Sequence, residues 1–216
     1  MTPTVDKAFI LRLTHIDNLT VLLQRGGLHA PNFTPDDGLN YKTIHHQDIQ
    51  VRRSARAIPC GPGGVIHDYV PFYFGPLSPM LLKLKSGRVE NYSEGQEPLI
   101  YLVSTVAAIV QAGHGFVFSD GHGIAFNTDW FDDVADLDKV DWDMVYAKYW
   151  ADDYEKDMDR QRRKQAEFLV HRFCPWDRII AIAVINDQIK TEVEQILADQ
   201  NSALADHVII KRNWYY

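Results

Sequence analysis

The chain has 216 residues, 46% hydrophobic and 24% charged, close to globular averages, so a disordered chain is excluded. With 22 Lys and Arg against 29 Asp and Glu, the formal charge is −7. That excludes a uniformly basic nucleic-acid coat and leaves room for a local basic groove.

In chain order, residues 9–13 read as a buried strand with one polar intruder, Arg12. Asp17 is expected to cap a helix over residues 18–24, with Leu19, Leu22 and Leu23 on one face, stopped by Gly26-Gly27. Residues 41–56 carry two His, one Asp and three Arg with few apolar anchors, and read as a loop with one turn of helix. The turn cluster Gly61-Pro62-Gly63-Gly64 leads into an aromatic strand over residues 69–74, which Pro71 places at an edge or a bulge. Residues 99–104 and 116–118 read as strands, with a short helix over 105–112 between them.

Residues 129–143 hold seven Asp interleaved with apolar residues. They read as one or two amphipathic surface helices, since no calcium-loop spacing is present. Residues 150–164 are strongly charged. Strands over 168–173 and 179–185, a helix over 189–197 and a last strand over 208–211 complete the chain. Strands mixed with short helices, without regular alternation, predict an α+β fold in a single domain over residues 1–216.

The longest apolar runs, residues 99–103 and 179–185, are far too short to span a membrane, and no signal peptide is visible at the start. Cys60 and Cys174 form neither a disulfide framework nor a zinc knuckle, which suits a reducing cytoplasm. There is no phosphate-binding Gly-Lys-Ser/Thr loop and no dinucleotide glycine fingerprint. His45, His46 and His67 lack metal-ligand spacing, so no metal is expected.

Three features carry candidate chemistry. Glu167 stands where a charged loop, with Arg160, Arg162, Arg163 and Lys164, turns into an apolar strand. It is either an exposed strand-edge carboxylate among basic residues or a carboxylate at a cleft mouth that stabilises positive charge. Arg52, Arg53 and Arg56 form either a solvated loop or a clamp on a pyrophosphate or nucleic acid, for which a planar guanidinium is suited. The aromatic strand, followed by Pro76, Pro79 and Met80, is either core or a wall on which a nicotinamide or base stacks.

Several strings are spread from residue 9 to the last residue: Thr14-His15-Ile16-Asp17-Asn18-Leu19, Gly63-Gly64-Val65-Ile66-His67-Asp68-Tyr69-Val70-Pro71-Phe72-Tyr73-Phe74, Ser78-Pro79-Met80-Leu81, Phe116-Val117-Phe118-Ser119-Asp120, Gln165-Ala166-Glu167-Phe168-Leu169-Val170 and Trp214-Tyr215-Tyr216. Together they resemble the DarT family of DNA ADP-ribosyltransferase toxins, in its thymidine-modifying branch. The resemblance implies a split β-sandwich with short flanking helices, with NAD as co-substrate in the cleft between two sheets. It implies that Glu167 and Arg53 are catalytic. It places Leu11, Arg12, Leu13, Gly27, Leu28, Arg53, Tyr73 and Met80 at the NAD site, with residues 41–56 folding over it. It puts His122 on the DNA, together with Arg160, Arg162 and Arg163 of the loop before Glu167. Lys83, Lys85 and Arg88 form a second basic stripe. The implied activity is transfer of ADP-ribose from NAD to thymine N3 in single-stranded DNA, blocking replication and reversed by a DarG-like macrodomain antitoxin. The residues alone leave open transfer to guanosine, RNA or protein, or a non-catalytic nucleic-acid-binding module.

Overall fold

The computed structural model describes residues 2–216. Its strands are β1 Phe9–His15, β2 Gly27–His29, β3 Tyr69–Tyr73, β4 Leu99–Thr105, β5 Phe116–Ser119, β6 Trp130–Phe131, β7 Glu167–His171, β8 Phe173–Pro175, β9 Ala181–Val184 and β10 Val208–Ile210. Its α-helices are α1 Leu19–Gln24, α2 Gln47–Ala55, α3 Pro79–Lys85, α4 Val106–Gln111, α5 Trp142–Tyr146, α6 Arg160–Arg163 and α7 Asp187–Asp199.

Eight strands run in the order β10-β9-β4-β1-β3-β7-β5-β6, and β2 pairs with β8. The order hides a division. β1 pairs antiparallel with β4 along its whole length, from Phe9–Thr105 to His15–Leu99. β3 pairs equally fully with β7, from Tyr69–His171 to Tyr73–Glu167. Between these ladders, β1 and β3 register at Leu11–Tyr73 alone among the described residues. Two halves of the sheet therefore diverge around one residue pair, as the expected split sandwich requires. Part of the missing ladder is replaced by a side chain: Arg12 Nη1 donates to the Pro71 carbonyl at 3.1 Å.

The apolar pattern explains the layering. β4 is buried from Leu99 to Ser104, as befits a strand covered on both faces. α7 turns Ile189, Val193 and Leu197 inward at helical spacing, and the Asn186 side chain accepts the Ile189 N–H at its start. Ser78 caps α3 by accepting the Leu81 N–H, with Pro79 in the first turn.

The structure departs from the sequence expectation at several places. Residues 41–56 contain α2, and their structure is not a loop with one turn. Asp17 does not cap α1: a 3-10 turn over Ile16–Asn18 leads into it, capped by His15, whose Nδ1 accepts the Asp17 N–H at 3.1 Å, and Asn18 stands at the N-cap of α1 with no side-chain cap bond. The expected strand over 168–173 is two strands, because Arg172 between them takes a left-handed φ of 64°. The Asp-rich stretch holds the short strand β6, a 3-10 turn over Val134–Lys139 and the single-turn α5. No helix among the described residues is long and apolar enough to cross a membrane.

Candidate active site

Glu167 opens β7 and is 2% exposed. The chain delivers it from a rigid approach. Lys164, immediately upstream, is buried and donates to the carbonyls of Val145 at 2.6 Å and Ala147 at 2.9 Å. Burial pushes its ammonium down to about 8. The Ser119 side chain accepts the Glu167 N–H at 3.3 Å. A carboxylate so buried needs a counter-charge, and α2 supplies it. Arg53 is the one buried side chain of that helix. Its Nη1 and Nη2 donate to Glu167 Oε1 at 2.9 Å and Oε2 at 2.7 Å, a fork-to-fork pair.

A third donor fixes the carboxylate: the Gly123 N–H reaches Oε1 at 3.1 Å. A Cβ on Gly123 would stand 3.1 Å from Ile66, 3.2 Å from Trp130 and 3.3 Å from that same oxygen. Burial alone would raise the Glu167 carboxyl. The Arg53 charge and hydrogen bonds, aided by His122 and the Gly123 amide, outweigh it and hold the group below its usual range. His122 Nδ1 lies 4.0 Å from Oε1 and accepts the Ile124 N–H at 3.3 Å, so the proton of the neutral ring sits on Nε2. Burial lowers the His122 pKa against the pull of Glu167, with Arg53, Arg52 and Lys83 lowering it further, which favours the neutral ring.

These groups border a cavity of about 610 Å³, within the usual span for small-molecule and cofactor sites. Leu11, Arg12, Leu13, Leu28, Arg53, Tyr73, Met80, His122 and Glu167 all line it. Tyr73 sits at the split itself, registered with Leu11 on one side and Glu167 on the other. Burial, then the charge of Glu167, pushes its phenol up to about 12, so it remains a hydrogen-bond donor at neutral pH. Gly27 is not part of the lining. It pairs with Pro175, where a Cβ would overlap Phe173 at 2.8 Å and Pro175 at 2.9 Å. Its role is to let β2 close against β8 and so place Leu28.

The basic loop is built differently from its sequence appearance. Arg162 donates to both oxygens of Asp159 at 2.7 Å and to Asp120 at 2.8 Å. Arg163 is bound by Asp141, Asp157 and Asp159. Arg160 donates to the Tyr149 carbonyl at 2.7 Å. None of the three lines the cavity. Acidic residues that look like a separate surface in the sequence are their partners. Two groups of the site go unnoticed in the sequence: Gln165, which lines the cavity and whose amide donates to the Gln161 carbonyl at 2.9 Å, and the Gly123 amide, which lies outside the lining and holds Glu167. The Gly-His-Gly string at residues 121–123 is the signal for the second.

Among the described residues no group of three or more His, Cys, Asp or Glu is arranged to hold a metal ion. A family model described as "ssDNA thymidine ADP-ribosyltransferase, DarT" matches residues 11–216. The chain belongs to the DarT family. Within it, a DNA ADP-ribosyl transferase of Thermus sp. (strain 2.9) is 43% identical over 207 residues, covering 96% of this chain and 95% of the relative. The structure of Thermus sp. 2.9 DarT in complex with ADP-ribosylated ssDNA superposes with a TM-score of 0.90 at 41% identity, covering 100% of both chains. The complex of the same protein with NAD+ gives 0.86 at 39% identity, again over 100% of both.

Proposed function

We propose that the protein transfers ADP-ribose from NAD to thymidine in single-stranded DNA and releases nicotinamide, residues 1–216 acting as one transferase domain. The observation that carries this reading is Glu167, buried against Arg53 on the wall of a dinucleotide-sized cavity at the split of the sheet.

The cavity's charge suits a dinucleotide diphosphate. Arg12 and Arg53 both line it, and Glu167 is the one carboxylate in the lining. Arg12 makes no ion pair among the described residues, its one hydrogen bond going to a backbone carbonyl. Its guanidinium is therefore available to an anion. The His46 Nε2, also in the lining, is buried without a partner among the described residues.

When nicotinamide departs, positive charge develops on ribose C1′ and the ring oxygen, as in glycoside cleavage. Glu167 offers a fixed negative charge to that state. Because it is already ionised and oriented, it stabilises the transition state more than the ground state. Arg53 orients the carboxylate and then shares its positive charge with the acceptor. A thymine N3 must lose its proton to attack C1′, and the anion that forms is stabilised by a neighbouring guanidinium. Arg53 itself, with a pKa held above the ordinary arginine value, is no base. His122 presents Nε2–H, a donor suited to a base carbonyl. Glu167 Oε2, bonded to Arg53 alone, keeps a lone pair for the N3 proton. The N3 edge is engaged in pairing within a duplex, which accounts for a single-stranded substrate.

As a DarT-type toxin the protein would act in the cytoplasm and be countered by a macrodomain antitoxin of the DarG kind that removes the ADP-ribose. The reading is tested by incubating the protein with NAD and mixed-sequence oligonucleotides and analysing the products by mass spectrometry. The expected product is one ADP-ribose on a thymidine, with matching nicotinamide release. Labelling that persists on oligonucleotides lacking thymine would overturn the assignment of the base.

A further inference from the structure

A polyanionic strand has to approach a chain whose formal charge is −7, so the few cations free to meet it decide its path. The strongest basic cluster in the sequence is not free, since Arg162 and Arg163 are occupied by Asp120, Asp141, Asp157 and Asp159. Lys164 faces two buried carbonyls. Arg12 and Arg53 face the cavity interior.

Two exposed cations remain beside His122. Lys83 lies in the last turn of α3 and lines the cavity together with His122 and Glu167. Arg52 lies in the last turn of α2, adjacent to Arg53, with its side chain in solvent. The end of α2 is pressed against the turn that carries His122, because Arg56 at its C-cap donates to the Ala125 carbonyl at 3.3 Å. Neither Arg52 nor Lys83 makes an ion pair among the described residues, although Asp and Glu outnumber Lys and Arg over the chain. The charges of both act on His122.

We propose that Arg52 and Lys83 hold backbone phosphates of the substrate strand beside the nucleotide that enters the cavity, a role that rests on the single-stranded DNA reading above. The same chemistry would suit the diphosphate of NAD. The placement favours the strand, because two inward-facing guanidiniums already serve the cavity, whereas Arg52 lies outside its lining. With two phosphate contacts, binding depends only shallowly on salt, and each contact accounts for a defined part of the slope.

The test measures binding of a fluorescein-labelled oligothymidylate by anisotropy across a salt series, alongside KM for NAD. The proteins compared are the wild type, Arg52→Gln, Lys83→Gln and the double variant. Each single substitution is expected to flatten the slope of log K against log salt by about 0.7, and the pair by about 1.4. For Arg52→Gln, KM for NAD should move less than about twofold, since Arg52 lies outside the cavity lining. The charge-keeping Arg52→Lys and Lys83→Arg variants should retain the wild-type slope. An unchanged slope in the double variant would overturn the proposal. So would a raised KM for NAD with unchanged DNA binding, which would assign both charges to the diphosphate. A wild-type protein that neither binds nor labels oligothymidylate would instead remove the DNA reading itself, and the wild-type arm alone reveals that.

Discussion

Arg53 and Glu167, 114 positions apart in the chain, meet fork to fork at 2.9 and 2.7 Å, with 7% and 2% of their surfaces exposed. Neither could remain charged at such a depth without the other. The helix that carries Arg53 is therefore docked onto the sheet by the same contact that aims the carboxylate. On the proposed function, activity and local stability share one interaction, and substitutions at the two positions should affect both.

Glu167→Gln keeps the shape and removes the charge. Nicotinamide release should fall by about 10²–10³, in line with the loss of one preorganised electrostatic group. Glu167→Ala should lose the same activity, and both variants should lose about 3–5 kcal/mol of stability, because each leaves a buried guanidinium without its counter-charge. Chromatographic assay of nicotinamide and urea denaturation separate the two effects.

Arg53→Lys preserves a positive charge and loses the planar fork. One ammonium cannot hold both carboxylate oxygens as the guanidinium does. Transfer to DNA should fall by about tenfold or more, a cost of about 1.4 kcal/mol in transition-state stabilisation. Near-normal transfer by this variant across the pH range would argue against a role for the fork.

The pair also sets an acid limit. Burial would raise the Glu167 carboxyl, but Arg53 wins and holds it below its ordinary value of 4.5. A group whose pKa is depressed on folding contributes fully above its unfolded pKa. It loses that contribution as pH falls through the folded value. The stability difference between the wild type and Glu167→Gln should thus be constant from neutral pH down to about 4.5 and shrink only below it. Denaturation midpoints across that range check the sign; a gap that closes between pH 7 and 5 would contradict it.

Gly123→Ala tests the third donor on the carboxylate. The added methyl would sit 3.3 Å from Glu167 Oε1 and 3.1 Å from Ile66. We expect kcat to fall while the fold is retained, with circular dichroism unchanged and nicotinamide release reduced.

Arg162→Gln should behave unlike a loss of DNA contact. Its guanidinium ties Asp159 to Asp120 and so fastens the loop before β7 to the strand end after β5. Losing charge-assisted hydrogen bonds of this kind costs about 1.5–3 kcal/mol. The expected signature is a lowered Tm with an unchanged salt slope for DNA binding.

The strands were legible in the sequence because their apolar runs are dense: β1, β4 and β7 need no tertiary information to be seen. So was the position of Glu167, at the boundary between a charged loop and such a run. α2 was not, for a physical reason. Residues 47–55 have no apolar stripe, and Val51 is 62% exposed. The helix is held by a buried ion pair whose partner lies in another strand, and no local pattern reports that. The same blindness affects residues 160–163. A run of arginines looks solvent-facing until the fold brings Asp120, Asp141, Asp157 and Asp159 around it. The 3-10 turn before α1, capped by His15, is a smaller case, decided by which side chain the backbone turns toward the free N–H.

The Leu11–Tyr73 pair gives the molecule a mechanical character that a continuous ladder would not. A sheet is stiff because each strand is stitched to its neighbour at every second residue, and here that stitching is reduced to one point between its two halves. Space that a full ladder would close is left open beside that pair, bridged by the Arg12 guanidinium on the Pro71 carbonyl and, further out, by the short β2–β8 ladder.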